Sequence, residues 1–171
     1  DILIGAPGYS SSTGRVYILF GGTGLTDISV GSLTAAQGTT YTGGSAGDGF
    51  GTEVDVGTDC NGDGISDFMA SSPNSNTNTG VAYVLYGKSS FSALAMGSLT
   101  TASGISLTGP STNFYAGFAI NLRVDIDGDG MADPLIGGYG YNSNQGRSYF
   151  ISGSSTLANT AISSITGDKY L

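Results

Sequence analysis

Two nine-residue segments concentrate the acidic side chains of this 171-residue chain. Each begins and ends with Asp, carries oxygen-bearing side chains at positions one, three, five and nine, and has Gly at position six. Calcium takes about six to eight hard oxygen ligands, so side-chain oxygens at alternate positions of a tight loop can surround one ion. The segments are Asp59-Cys60-Asn61-Gly62-Asp63-Gly64-Ile65-Ser66-Asp67 and Asp125-Ile126-Asp127-Gly128-Asp129-Gly130-Met131-Ala132-Asp133.

This pattern predicts a calcium-binding loop in each segment. Gly at position six permits the positive φ of a sharp turn, and the next residue, Ile65 or Met131, would supply its backbone carbonyl. An EF-hand is disfavoured because its position-twelve Glu is replaced by Ala70 or Ile136. Magnesium fits less well, since it requires stricter octahedral geometry. Acidic turns that merely cap strands are the alternative, and the recurrence of two such loops in register favours the metal.

These loops belong to a repeat of 66 residues. Asp1-Ile-Leu-Ile-Gly-Ala-Pro7 aligns with the segment that starts at Asp67 and with the one that starts at Asp133. Gly14-Arg-Val-Tyr-Ile-Leu-Phe20 recurs at the same spacing, with Gly80 and Gly146 as its first residues. About two and a half repeats therefore cover the chain, and a period of this length with only short strands is typical of stacked sheet units such as propeller blades.

The predicted fold class is all-β, with four-stranded antiparallel blades of a β-propeller. In the middle repeat we place strands at 50–56, 67–71, 81–86 and 105–107, separated by turns rich in Gly, Asn and Ser. Val16 and Ile18 alternate with Tyr17 and Leu19, so both faces of the third strand are apolar and are expected to be buried. We divide the chain into a partial blade (1–49, strands two to four), a complete blade (50–116) and a partial blade (117–171, strands one to three and the start of four).

Composition excludes several classes of function. The net charge is −8 with only five Lys and Arg residues, which argues against a nucleic-acid partner. Apolar runs are too short to cross a bilayer, so no membrane insertion is expected. There is no His, and no Ser lies in a nucleophile-elbow pattern, so we expect no enzyme activity. We expect the chain to be a mature or excised piece of a longer protein, and its single Cys60 to be a semi-exposed residue without a role or an intermolecular bridge.

Together, Phe50-Gly51, the loop from Asp59 to Asp67, and Gly5-Ala6-Pro7 resemble the FG-GAP repeat, which builds the propeller of integrin α subunits. The resemblance is strongest to bacterial, secreted versions and implies four-stranded blades with one calcium ion in each complete loop. In the last repeat Phe118-Ala119 stands where we align Phe-Gly, and Gly138-Tyr139 replaces Ala-Pro. The calcium ligands that the resemblance implies are Asp59, Asn61, Asp63, Ile65 and Asp67, and Asp125, Asp127, Asp129, Met131 and Asp133.

Two functions follow as expectations. The first is an extracellular or cell-surface module for adhesion or ligand recognition, with structural calcium and a protein or glycan ligand. Tyr9, Tyr139 and Tyr141 are candidate contacts for such a ligand, or else scattered surface aromatics. The second is a structural subunit of a filament, array or surface layer, in which the partners are copies of the chain itself.

Overall fold

The computed structural model describes residues 1–22 and 27–164. Within these ranges, twelve short strands form three sheets, and helical segments are limited to single turns. The all-β class predicted from the sequence is therefore confirmed. The strands are β1 (Ile2–Ala6), β2 (Arg15–Leu19), β3 (Gly38–Thr42), β4 (Val54–Val56), β5 (Phe68–Ser72), β6 (Val81–Leu85), β7 (Leu94–Ala95), β8 (Gly104–Thr108), β9 (Ala119–Asn121), β10 (Leu135–Gly138), β11 (Arg147–Phe150) and β12 (Thr160–Ala161).

The three sheets repeat one antiparallel strand order. Sheet two places β4, β5, β6 and β8 side by side. Sheet one contains the counterparts of the last three of these strands, and sheet three contains the counterparts of the first three. The cross-strand pairs Ile4↔Tyr17, Ala70↔Tyr83 and Ile136↔Tyr149 lie 66 residues apart, so the sequence period is also the period of strand pairing. The start of a fourth strand in the last repeat, expected after residue 164, lies outside the described residues.

The first strand of the middle repeat is shorter than predicted. Strand β4 begins at Val54, whereas the sequence placed a strand from residue 50. Gly49 and Gly51 have φ values of +67° and +86°, which an extended strand cannot accommodate. Phe50, between these two glycines, forms an isolated parallel bridge to Gly14 of sheet one. This segment therefore connects neighbouring sheets instead of extending its own.

Two apolar cores lie between the sheets. The first packs Val16, Ile18 and Tyr41 of sheet one against sheet two, and Val16 and Phe50 are fully buried there. The second packs sheet two against sheet three. Tyr17, on the opposite face of β2, is only 6% exposed, so the prediction that this strand is buried on both faces is confirmed. Such interleaved aliphatic and aromatic burial is the main stabilising contribution of a stacked β architecture.

Two parallel strands were not predicted from the sequence. Strand β7 leaves the repeat of sheet two to pair with β3 of sheet one, and β12 pairs in the same way with β8 of sheet two. Each is followed by a short 3₁₀ turn, Met96–Ser98 or Ile162–Ser164, whose first side chain is buried in a core. The third such turn, Val30–Ser32, follows no described strand. Two residues of pairing are too few to give a readable alternation.

A left-handed turn follows the second strand of every repeat. The backbone has positive φ at three consecutive residues, which are Ser10 to Ser12, Asn76 to Asn78 and Asn142 to Asn144. In the first two repeats these residues fall within short helical segments, Tyr9–Ser12 and Ser75–Asn78, whose interiors are not right-handed. Asn tolerates this region of φ and ψ, but each residue still costs about 1–2 kcal/mol. The same strained shape at the same position three times indicates a common role.

The alignment of Phe118-Ala119 with the Phe-Gly pair is wrong. Gly80 bridges Ala116, 66 residues after the Gly14–Phe50 bridge, so Ala116-Gly117 holds that position. The missing ring is supplied by Phe114, which is fully buried and meets Tyr149 edge-on at 6.0 Å, as Phe50 meets Tyr83 at 5.5 Å. The sequence pair was misleading because Phe118 is 54% exposed and takes no part in this core.

Candidate metal centre

The two acidic loops connect equivalent strands of successive sheets. The first runs from β4 to β5 and the second from β9 to β10. In each loop the backbone turns at two glycines with positive φ, Gly62 and Gly64 in the first and Gly128 and Gly130 in the second. These left-handed positions curl the chain so that its amides face the leading Asp, as the spacing predicted.

The leading Asp organises each loop by accepting backbone hydrogen bonds. Asp59 Oδ1 accepts from Gly62 N at 2.7 Å, and Oδ2 accepts from Gly64 N at 2.6 Å. Desolvation by burial raises the pKa of Asp59, but the N–H groups of Gly64, Gly62 and other loop residues outweigh it, so the pKa lies below its usual value. Asp59 is thereby held ionised, as a metal ligand must be.

The second loop has the same geometry at its start. Asp125 Oδ1 accepts from Gly128 N at 2.6 Å, and Oδ2 accepts from Gly130 N at 2.9 Å. In both loops the fifth residue accepts from the seventh: Met131 N donates to Asp129 Oδ1, and Ile65 N donates to Asp63 Oδ1, each at 2.8 Å. The two loops therefore present their oxygens on closely similar scaffolds.

The closing Asp of each loop is fully buried and joins three parts of the repeat. Asp67 Oδ2 accepts from Cys60 N at 2.9 Å, and its Oδ1 accepts from Gly87 N, just after β6, at 2.8 Å. Burial raises the pKa of Asp67, although the hydrogen bonds from Cys60 and Gly87 oppose this rise. Asp133 makes the corresponding bonds, to Ile126 N at 2.7 Å and to Gly153 N at 2.8 Å.

Three carboxylates of the second loop converge. One oxygen from each of Asp125, Asp127 and Asp133 lies within 4.8 Å of the others. Ligands on opposite sides of a calcium ion lie roughly 4.6–5.2 Å apart, because each Ca–O distance is about 2.3–2.6 Å. The three oxygens are therefore close enough to share one calcium ion, and Asp125 and Asp127 are exposed, which leaves the site open to entry.

The other predicted ligands are not gathered to the same extent. Asp129 is not part of this acidic cluster, and the side chain of Met131 is only partly buried. In the first loop the third position is Asn61, a neutral ligand whose Oδ1 accepts from Asp63 N at 2.9 Å. A loop with one less negative charge holds a divalent cation less strongly. The first-loop ligands and the roles of Asp129 and Met131 remain predictions.

The expected exposure of Cys60 is corrected by the structure. Cys60 is fully buried, and its Sγ donates to Asp67 Oδ2 at 2.9 Å. Desolvation and this bond to an acidic neighbour raise the pKa of the thiol strongly. A buried, protonated thiol cannot form an intermolecular bridge without unfolding of the loop. Sequence reasoning missed this contact because it depends on the loop closing over seven residues.

The two loops also contact each other. Ala132 N donates to the carbonyl of Asp59 at 2.8 Å, and Ser154 N donates to the carbonyl of Cys60 at 2.9 Å. The second loop and the strand end that supports it therefore pack directly on the first loop. An ion that rigidifies one loop would restrain the interface between sheets two and three as well.

The candidate ligand-contacting tyrosines lie on the surface or at its edge. Tyr9 is 38% and Tyr139 40% exposed, whereas Tyr141 is partly buried against the second core. Arg15 and Arg147 lie over the rings of Tyr9 and Tyr141, each at 3.7 Å. Tyr139 stacks on Tyr115 at 4.6 Å, in a small cluster with Phe118 that the sequence did not single out.

A comparison with protein families finds one match, in which the model described as FG-GAP repeat covers residues 50–85. The match begins at the Phe-Gly pair and contains the first acidic loop, β5 and β6. No curated protein matches the chain. The described residues contain no helix with the length and hydropathy that a bilayer-crossing segment needs.

Proposed function

Since residues 50–85 of the chain are an FG-GAP repeat, we propose that the three sheets are consecutive blades of a β-propeller that binds calcium structurally and serves adhesion or ligand recognition outside the cell. The convergence of Asp125, Asp127 and Asp133 is the observation that carries the calcium assignment. The recurrence of the same hydrogen-bonded scaffold in the first loop supports a second, weaker site.

The energetic contribution of each site is modest. Extracellular calcium modules have dissociation constants of about 10⁻⁴–10⁻³ M, so at ~1 mM calcium one site adds about 0.4–1.4 kcal/mol to the free energy of unfolding. Because Asp133 and Asp67 already receive backbone hydrogen bonds, the ion adds to a scaffold that the chain forms itself. The role of calcium is thus to stiffen the sheet-to-sheet contacts.

The proposal excludes catalysis by this part of the protein. No His is available as a general base, and the carboxylates that lie close together are the ones assigned to the metal. Binding by surface loops of a rigid scaffold is the better use of this architecture. The exposed rings of Tyr9 and Tyr139 are the proposed points of contact with a protein or glycan.

The calcium assignment is tested by calorimetry and thermal unfolding of the chain with calcium and with EGTA. We expect binding of up to two ions and a rise in melting temperature of a few degrees, about 2–4 °C per kcal/mol for a chain of this size. Asp129→Ala and Asp63→Ala should each remove part of that rise. Identical melting with calcium and with EGTA, together with no heat of binding at millimolar calcium, would refute the assignment.

The alternative function, a subunit of a filament or surface layer, has one structural feature in its favour. The outer face of sheet one exposes apolar side chains, with Ile2 55% and Ile4 37% exposed, although β1 is regular and paired with β2. Light scattering over a range of concentrations distinguishes the two functions. A monomer at all concentrations supports the recognition module, and growing assemblies support the array.

A further inference from the structure

We propose that the outer face of sheet three is a docking site for another FG-GAP-type repeat, which inserts its linking segment against the left-handed turn at Asn142 to Asn144. The linking segment is the chain between the fourth strand of one repeat and the first strand of the next, here residues 43–51 and 109–117. This inference rests on the proposed propeller function, because it treats the three sheets as members of a longer series.

The first step is the use made of the other two left-handed turns. Their carbonyls point at the linking segment of the next sheet and accept its backbone amides. The Gly that ends each turn, Gly14 or Gly80, then forms a parallel bridge with the same segment. The bonds are Gly47 N to Ser11 O at 3.1 Å, Gly49 N to Ser12 O at 2.8 Å, Phe50 N to Thr13 O at 3.3 Å, Asn113 N to Thr77 O at 3.3 Å, Tyr115 N to Asn78 O at 2.8 Å and Ala116 N to Thr79 O at 3.1 Å.

The third turn has the same conformation without such a partner. Asn142, Ser143 and Asn144 have φ values of +45°, +60° and +69°. Among residues 1–22 and 27–164, no backbone amide donates to the carbonyls of Ser143, Asn144 or Gln145. Three left-handed residues cost several kcal/mol at about 1–2 kcal/mol each, so this turn is held in its docking conformation before anything binds.

The second step is the space beside the turn. A Cβ on Gly14 would lie 2.1 Å from Phe50 O, and one on Gly80 would lie 2.3 Å from Ala116 N, because the linking segments fill those positions. A Cβ on Gly146 would have no neighbour closer than 3.8 Å. A cavity of about 380 Å³ opens here and is lined by Gly137, Gly138 and Gly146. Sheet three thus keeps the glycines of an occupied interface around an open one.

The third step identifies the occupant. Both linking segments place positive φ at alternate residues, which are Gly47, Gly49 and Gly51 in one and Asn113, Tyr115 and Gly117 in the other. An ordinary extended strand cannot reproduce this shape, whereas a further FG-GAP-type repeat can. A second copy of the chain is a poorer occupant, since its segments at 43–51 and 109–117 are already bound within the described residues. The occupant is therefore a separate repeat.

The test titrates a synthetic peptide with the sequence of residues 43–57 into ¹⁵N-labelled protein. We expect saturable shifts of the amides of residues 142–147, with a dissociation constant on the order of 1 mM, because a short peptide must order on binding. A peptide carrying Phe50→Ala and Gly49→Val should bind at least tenfold more weakly. Absence of saturable shifts at low-millimolar peptide, or shifts confined to other surfaces, would overturn the proposal.

The receptor variant is Gly146→Asn. Asn tolerates the φ of +77° at this position, and its side chain would enter the space that the docked segment needs. We expect an unchanged melting temperature and loss of peptide binding; retained binding would contradict the proposal. Should this variant fail to fold, Gly137→Leu provides the same block, since a Cβ there meets no atom closer than 3.5 Å. Concentration-dependent dimers that Gly146→Asn abolishes would instead assign the face to a second copy of the chain.

Calcium and docking have separate readouts. Docking is followed at residues 142–147, far along the chain from the acidic loops, and the calcium assignment by melting with EGTA. Loss of peptide binding with intact calcium stabilisation would remove the docking site alone. No calcium binding with intact peptide binding would remove the calcium assignment alone.

Discussion

Gly138 and Phe114 share one space: a Cβ on residue 138 would lie 2.1 Å from Cε1 of the Phe114 ring. The corresponding residues of the other repeats are Ala6 and Ser72, and sheet two places Phe50 in its core where sheet three places Phe114. The loss of the side chain at 138 and the movement of the aromatic residue to 114 are therefore two parts of one change in packing.

This relationship predicts the effect of Gly138→Ala. The added methyl must displace a fully buried ring, and overpacking of this kind costs about 1–3 kcal/mol of the free energy of unfolding. Gly137→Ala is the matched control, because its Cβ has no neighbour closer than 3.5 Å. Denaturant unfolding measures both variants. In the Phe114→Ala background the cost of Gly138→Ala should largely disappear, and a cost that persists there would show that the ring is not its cause.

The two kinds of acidic residue in the second loop are expected to behave differently. Asp127→Ala should remove stabilisation by calcium and leave the melting temperature in EGTA unchanged or slightly higher, because its one backbone bond, from Asp129 N, is long at 3.3 Å. Asp133→Ala should lower the melting temperature even in EGTA. It leaves the amides of Ile126 and Gly153 without their acceptor, at about 1–3 kcal/mol for each buried group.

Scanning calorimetry with and without calcium separates these outcomes. Asp59→Ala provides a comparison in the first loop, where both carboxylate oxygens hold backbone amides. Equal losses for Asp127→Ala and Asp133→Ala in EGTA would contradict the distinction between an exposed metal ligand and a buried structural carboxylate.

Cys60 should resist thiol reagents in the folded protein. Its side chain is fully buried and its Sγ donates to Asp67, so a reagent can reach it only after the loop opens. We expect labelling to be slow in buffer and complete in denaturant, with calcium slowing it further by restraining the loop. The measurement is the rate of modification by a chromogenic disulfide. Fast labelling under native conditions would show that the loop does not close over the thiol.

Alkaline pH should destabilise the protein through Tyr83. Burial, with a smaller contribution from Asp48, raises the pKa of Tyr83 from 10.0 to about 12 in the folded state. This contribution to stability is therefore complete below pH 10 and is lost as the pH rises through 12, by about 3 kcal/mol in total. Tyr83→Phe should reduce the fall in urea midpoint between pH 9 and pH 11. The exposed Tyr9→Phe controls for the substitution itself, and an equal effect of both variants would rule out Tyr83 as the source.

Much of the fold follows from local signals. The 66-residue period, the positions of β5, β6 and β8, and the acidic loops can be predicted because strand alternation, turn residues and ligand spacing are encoded within a few neighbouring residues. The curl of each loop around Asp59 or Asp125 is equally local, since its hydrogen bonds span five residues or fewer.

Contacts between distant segments were decided only in three dimensions. Phe118 follows the pattern of the repeat more closely than Phe114 does, yet Phe114 fills the core because Gly138 leaves room for its ring. Asp67 and Asp133 look like ordinary loop carboxylates, and their burial depends on amides 20 residues further along the chain. The sequence alone thus determined the repeating unit and its acidic loops, whereas the tertiary structure decided which side chains complete each core, because that choice depends on the space left by residues remote in the chain.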